Sequence, residues 1–290
     1  MKKHLNLDYI KKYIKQTLVL IKRTCFFSFD VVLILFFGLI NLIRYRKLYD
    51  DNIIFVTAAE QNYYLKVQIL LTSYFKNLNN KLILYDLGLK PEQIINLSNN
   101  YSDLEIRKFK FDKFPKFVGT FHDDKLGSYA WKPIIVDQVL NEFKCKVVWL
   151  DAGNVINKKV GLLKVALTAK KFISPLSSNT IKDWTYPSTF KYISLKEKYL
   201  TSPNYASGLI SFDYKNEKSK KLSNEWRRFS EIEDCIAPIG SSRENHRQDQ
   251  TILTLLIYKN LIKNKIHQLS YPRTNFSLGV NFHGKKIHHF

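Results

Sequence analysis

The sequence contains neither of the commonest nucleotide-binding fingerprints. It has no G-x-G-x-x-G and no complete G-x-x-x-x-G-K-[ST], so neither a Rossmann dinucleotide site nor a P-loop is supported. Cysteine is scarce: Cys25, Cys145 and Cys235 are an odd number without metal-type spacing, and no essential disulfide is expected. No internal repeat and no low-complexity linker is present, which leaves out solenoids and repeat arrays. Acids are few, 25 against 46 Lys and Arg, for a formal charge of +21. Such a charge suits nucleic acid, anionic lipid or an anionic small molecule. The cations are mostly lysines scattered among Asn and Ile. They do not form one strip interleaved with aromatics, so no nucleic-acid partner is expected.

Length allows one large domain or two small ones, at 290 residues. Residues 1–50 differ in character from the rest. A lysine-rich stretch, 1–24, precedes an apolar run from Cys25 to Ile43, closed by Arg44, Arg46 and Lys47. The run is close to the ~20 residues that cross a hydrocarbon core, with Asp30 near one end. No small-residue cleavage site follows, so the run is expected to be an uncleaved anchor helix or an interfacial one. Denser cations before the run favour a cytoplasmic N-terminus. The expected location is a single-pass membrane protein, of Golgi type II orientation in a eukaryote or on the cytoplasmic face of the inner membrane in a bacterium.

From residue 51 to residue 290 the pattern alternates. Ile53–Thr57, Lys81–Asp86, Leu104–Phe109, Lys146–Leu150, Phe172–Ser174 and Tyr205–Asp213 read as strands. Helices are expected at Tyr64–Tyr74, after Pro91, at Ser128–Leu140, at Val160–Ala169, around Trp226 and at Arg247–Leu261. Lys108–Lys125 is expected to be an irregular loop over the sheet edge, and 176–204 a long irregular segment of the kind that often carries function. Strands alternating with helices imply a doubly wound, mostly parallel α/β sheet with helices on both faces.

The central stretch is Lys146–Asn154, an apolar strand ending on Asp151 and a Gly-containing turn. Ligands of open α/β sheets sit outside the carboxyl ends of the strands, where Asp151 would meet a metal or a ligand hydroxyl, or would simply cap the turn. Thr57-Ala58-Ala59 ends the first strand with small residues that let a ligand approach the backbone. Lys132 stands at a helix entrance, either as an anion site or as a solvated lysine beside Trp131. Asp249 is placed like a capping acid.

Four segments together resemble a nucleotide-sugar-dependent glycosyltransferase of the GT-A fold, with a glycogenin-like and galactosyltransferase-like arrangement. They are Thr57-Ala58-Ala59, Tyr129-Ala130-Trp131-Lys132-Pro133 with the strand ending on Asp151, Ala206-Ser207-Gly208-Leu209, and Asp249-Gln250, followed by a tail holding His283, Gly284 and Lys286. The resemblance implies a nucleoside-diphosphate sugar as donor and a glycan, lipid or protein acceptor, at a membrane, in polysaccharide biosynthesis or a related process. It implies Asp249 and Asp151 as catalytic residues. It implies Thr57, Ala58, Ala59, Lys132, Asp151, Gly208, Gln250 and Lys286 as donor-binding residues. It implies Asp151 and His283 as ligands of Mn²⁺ or Mg²⁺. One departure matters: the Asp-x-Asp of that family reads Asp151-Ala152-Gly153 here, so the second carboxylate is missing. The alternative is a non-catalytic GT-A-like protein that binds glycans or acts as a scaffold at the membrane.

Overall fold

The computed structural model describes residues 52–119, 121–122, 125–157, 161–261 and 280–282. Strand β1 (Ile53–Ala59) leads to helix α1 (Tyr64–Asn77), β2 (Leu82–Asp86), α2 (Pro91–Asn100) and β3 (Leu104–Lys108). A small hairpin, β4 (Phe121–His122) and β5 (Lys125–Leu126), precedes α3 (Trp131–Phe143), β6 (Lys146–Leu150) and β7 (Asn154–Ile156). Then come α4 (Gly161–Ala169), β8 (Phe172–Ile173), β9 (Leu176–Thr180) and α5 (Ile181–Trp184). The chain continues through β10 (Pro203–Tyr205), β11 (Leu209–Asp213), α6 (Glu217–Ser230), α7 (Glu233–Ile236), α8 (Gln248–Lys259) and β12 (Val280–Phe282).

Six strands form one sheet in the order β3-β2-β1-β6-β11-β8. The four from β3 to β6 run parallel, and β11 lies antiparallel to both β6 and β8. Parallel strands are covered on both faces, which is why β1, β2 and β6 are buried along their whole length and mostly apolar rather than alternating. Side chains still divide by parity. Val147 and Trp149 face a core shared with Ile134, Val139, Trp226 and Ile252 of α3, α6 and α8. Val148 and Leu150 face Leu70, Leu97 and Leu163 of α1, α2 and α4. The mixed, mostly parallel α/β sheet with helices on both faces is the architecture the alternation implied.

Local chemistry sets the helix ends. Pro91 begins α2, where its missing N–H costs nothing. Asn216 caps α6 by accepting from Ser219 N at 3.0 Å. Lys146, though in a strand, is buried, and its ammonium is given to the carbonyls of Leu167 and Lys170 at the end of α4.

Three expectations change. Tyr205–Asp213 is not one strand: β10 ends at Tyr205 and β11 begins at Leu209. The small residues between them let the chain leave one sheet for the other, with Ala206 N donating to Pro175 O at 2.7 Å and Ser174 Oγ to Ala206 O at 2.8 Å. The stretch after Lys108 forms two short 3₁₀ turns that bury Phe117 and Val118 and stack Phe109 on Phe114. Segment 176–204 is not irregular throughout: it holds β9, α5 and the start of β10, Asp183 closes a capping box with Thr180, and the Arg247 guanidinium lies 3.7 Å from the Trp184 ring centre. Among the described residues no helix is long and apolar enough to cross a membrane. The apolar run 25–43, His283 and Lys286 lie outside the described residues. Cys145 and Cys235 are both buried.

His246 links this scaffold to pH. It is buried, accepts from Tyr186 N on Nδ1 at 3.2 Å and donates from Nε2 to Ile236 O at 2.9 Å. Burial pushes its pKa down from 6.5 to about 4. The folded state therefore binds fewer protons than the unfolded chain between those values, so this contribution is present above pH 6.5 and lost as pH falls toward 4. Denaturant unfolding across that window should show stability falling by up to about 1.4 kcal/mol per pH unit from this group. His246→Asn should flatten the profile; an equally steep profile in the variant would place the titration elsewhere.

Candidate active site

A cleft of about 200 Å³ opens at the carboxyl ends of the parallel strands. Ala58 and Ala59 form its floor at the end of β1, Leu87 borders it after β2, and Asp151, Ala152 and Gly153 border it after β6. Tyr63, Tyr129, Trp131 and Trp149 wall it, and Arg243 and Lys132 bring positive charge. This is the crevice where ligands of open α/β sheets are found.

Lys132 lies in the first turn of α3, with its backbone N–H donated to Tyr129 O at 3.1 Å. Its side chain is neither solvated nor free at a helix entrance. It is only 3% exposed, and its ammonium sits 3.0 Å from Asp151 Oδ1 and 3.1 Å from Asp249 Oδ2. Both contacts are at ion-pair distance, and the attraction of opposite charges holds the ammonium between the two acids. Ser207 Oγ accepts from the same ammonium at 3.4 Å. Burial by itself pushes the Lys132 pKa down, but Asp151 and then Asp249 outweigh it and hold the group above the ordinary lysine value. Burial pushes the Asp249 pKa above the usual carboxylate range, and the pull of Lys132 only partly offsets this.

The two carboxylates differ in access. The side chain of Asp151 is 43% exposed and that of Asp249 only 7%. Asp151 Oδ1 also accepts from Trp149 Nε1 at 2.7 Å, and its own backbone N–H goes to Gly208 O at 2.9 Å. Gly208 O takes a second donor, Asn154 Nδ2, at 2.6 Å. Gly208 thus supports the turn through its backbone. Asp249 does not cap α8 and does not line the cleft; it stands behind Lys132. Two residues beside the site hold left-handed backbone without being glycine, Tyr129 (φ 60°) and Gln248 (φ 45°). Gln248 Nε2 donates to Gly127 O at 3.4 Å, tying the start of α8 to the cleft rim. Strained backbone of this kind persists where packing over-determines it, often at functional sites.

Of the residues singled out from sequence, the structure brings Ala58, Ala59, Lys132, Asp151, Gly208 and Asp249 to one place. Thr57 is fully buried inside β1 and is absent from the cleft lining. Gln250 is half-buried on α8, with its N–H on Arg247 O at 3.0 Å, and likewise does not line the cleft. Sequence reasoning missed Arg243, Tyr129, Trp149 and Ser207 as site groups. Tyr129, Trp149 and Ser207 lay inside stretches already singled out, whereas Arg243 sits in a loop with no pattern to mark it.

Mn²⁺ or Mg²⁺ needs several hard oxygen ligands. The cleft lining offers two carboxylates, Glu60 just after β1 and Asp151, whose Oδ1 already meets Trp149 and Lys132. Gly153 stands where a second carboxylate would be, Asp249 faces Lys132, and no group of three His, Cys, Asp or Glu among the described residues could hold a metal. A divalent ion on the remaining oxygen would face the ammonium at close range. Unit charges 4 Å apart already interact by about 4 kcal/mol near a protein surface, and a double charge doubles it. This donor set does not fit the metal.

Residues 38–137 match a family model described as a protein of unknown function, DUF1647. A search of the curated proteins finds no match. Among solved structures, the chain is similar to the bifunctional glycosyltransferase WbbM, at 14% identity and a TM-score of 0.43 over 77% of this chain. It spans only 40% of that protein's length. It is also similar to core-mannan synthase A from Aspergillus fumigatus in its Mn/GDP form, at 9% identity and a TM-score of 0.48 over 73% of this chain and 72% of the other. A third is the galactosyltransferase LgtC in complex with donor and acceptor sugar analogues, at 14% identity and a TM-score of 0.44 over 79% and 86%. These are likenesses of chain path, and no chemistry follows from them.

The ammonium between two carboxylates has a measurable energetic signature. Lys132→Met should destabilise the fold by about 3–5 kcal/mol, because it strands the buried charge of Asp249. Adding Asp249→Asn should recover a good part of that loss. A denaturant-based double-mutant cycle reads the coupling, and strictly additive effects would show that the pair does not interact.

Proposed function

We propose that this chain is a membrane-anchored glycosyltransferase. It would move a sugar, hexosyl or related, from a nucleoside-diphosphate sugar to a hydroxyl of a glycan, lipid or protein acceptor. The observation that carries this reading is the cleft outside β1 and β6. Aromatic rings wall it, a floor of alanines admits close approach, and a buried ammonium stands beside an exposed carboxylate.

The chemistry divides among the chain's own residues. The acceptor oxygen forms a bond to the anomeric carbon, the bond from that carbon to the diphosphate oxygen breaks with the electron pair leaving on the diphosphate, and the hydroxyl proton passes to Asp151 or to the departing diphosphate. Lys132 and Arg243 supply positive charge for that leaving group, in a site partly shielded from water, where such charge acts strongly. Asp151, with one oxygen held by Trp149 and Lys132, presents the other to a ribose or acceptor hydroxyl. Asp249 suits a different task from the catalytic role first expected of it: buried beside Lys132, it positions the ammonium. Tyr63, Tyr129 and Trp131 offer ring faces for a base and exclude water. Residues 25–43 would anchor the domain, luminal in a cell with a Golgi and cytoplasmic in a bacterium. A non-catalytic glycan-binding or scaffold protein is the second reading, favoured by Gly153 in place of a carboxylate and by the burial of Asp249.

A panel of nucleotide sugars scored for transfer and hydrolysis separates the two readings, since the second requires binding without turnover. Asp151→Asn should lower transfer by roughly 10² or more, the scale of lost transition-state electrostatics, with stability changed by about 1 kcal/mol. A variant that melts early yet turns over normally would remove Asp151 from the chemistry. Deleting residues 1–48 should release a folded, soluble domain from membranes. Extraction of the full-length chain by carbonate or high salt alone would instead favour an interfacial helix.

A further inference from the structure

We infer that Lys132 is a built-in counter-cation, standing between Asp151 and Asp249 where a divalent ion would have to bind, so that the cleft takes a nucleoside diphosphate without Mg²⁺ or Mn²⁺ and meets its phosphates with Arg243. The inference rests on the donor reading above and adds to it the mode of diphosphate recognition and a residue that sequence did not mark.

Three observations carry it. First, the ammonium is not a rim charge that could swing aside. It is 3% exposed, in the first turn of α3, with both carboxylates within 3.1 Å. Moving it out would leave Asp249 buried at 5% exposure without a counter-charge. Second, of the two carboxylates on the cleft lining, Glu60 and Asp151, the one beside Lys132 is half committed, its Oδ1 accepting from Trp149 Nε1 while lying against the ammonium. One remaining Asp151 oxygen and Glu60, with no third His, Cys, Asp or Glu grouped with them among the described residues, are poor ligation for an ion that wants several oxygens. Third, a separate cation lines the same cleft. Arg243 is exposed and not in an ion pair among the described residues, and its guanidinium lies 4.9 Å from the Tyr129 ring centre. Tyr129 is the residue held left-handed one turn before Lys132, so the ring that steadies Arg243 is itself fixed by the α3 entrance. A planar guanidinium with fixed donors suits phosphate oxygens, and stacking on a ring reduces the freedom it loses on binding.

Two measurements on the full-length chain test this. In the first, Mn²⁺ is titrated into the protein without nucleotide and the free ion is followed by electron paramagnetic resonance. No stoichiometric binding is expected. One Mn²⁺ per chain, lost in Asp151→Asn, would overturn the inference, including the case in which His283 completes the ligands. In the second, UDP and GDP are titrated by calorimetry in chelator and in Mn²⁺. The affinity of whichever nucleotide binds should agree within about twofold between the buffers, and Arg243→Gln should weaken it about tenfold in both, as expected for a lost charge-assisted contact. Affinity that appears only with Mn²⁺, or that ignores Arg243→Gln, would overturn the inference. If neither nucleotide binds in either buffer, the donor reading fails, and the Mn²⁺ titration still decides whether the cation position is taken.

Discussion

One buried ammonium organises the functional end of this molecule. Lys132 comes from the start of α3, Asp151 from the end of β6 and Asp249 from the start of α8, and the three meet within 3.1 Å. A charge taken out of water must be matched at close range, so these element ends cannot drift independently. The strain nearby follows from the same demand. Tyr129 and Gln248, each a few residues or fewer from a member of the triad, hold backbone angles that non-glycine residues rarely adopt. Such geometry survives only where the surroundings over-determine it, and here the ion pairs and the core beneath them supply that constraint.

The sheet explains why the meeting point is a cleft. Parallel strands end together at one edge, and the residues that end or follow β1 and β6 line the cleft. Beside β6 runs β11, antiparallel to it. Its entrance through Ala206-Ser207-Gly208 sends one carbonyl, that of Gly208, to both Asp151 N and Asn154 Nδ2. The turn carrying Asp151 is therefore pinned from the neighbouring strand, so its carboxylate is positioned before any ligand arrives. Preorganisation of this kind separates a catalytic carboxylate from a turn cap, whose side chain would face its own following N–H groups.

Much of the fold was legible because its signals are local. Apolar runs at Ile53–Thr57, Lys81–Asp86 and Lys146–Leu150, each followed by helical spacing, give the parallel half of the sheet almost residue for residue. The break between Tyr205 and Leu209 was not legible, since small residues in an apolar run look like a continuous strand until their partners are known. The site was half legible. Asp151, Ala58 and Ala59 announce themselves by ending strands. Thr57 stays buried within β1 while the next two residues reach the cleft. The pairing of Lys132 with Asp249 is a tertiary fact between residues far apart in the chain, and each alone has an adequate local explanation. Trp149 reads as core, which it is, but its indole N–H also needs a partner, and that partner is Asp151.

Exposure then sorts the two carboxylates by task. Asp249, almost wholly buried and absent from the cleft lining, meets the cleft through its ion pair with Lys132. Asp151, with a side chain 43% exposed, can act directly. Replacing Asp249 by an uncharged residue would leave Lys132 one counter-charge short and free to follow Asp151 alone, altering the position of the cation rather than removing a reacting group. Replacing Asp151 would leave Lys132 drawn toward Asp249, deeper and further from the cleft. The ammonium is placed by opposed pulls, and its distance from the cleft is set by the balance between one wet carboxylate and one dry one. That balance, more than either acid by itself, determines how much positive charge the cleft presents.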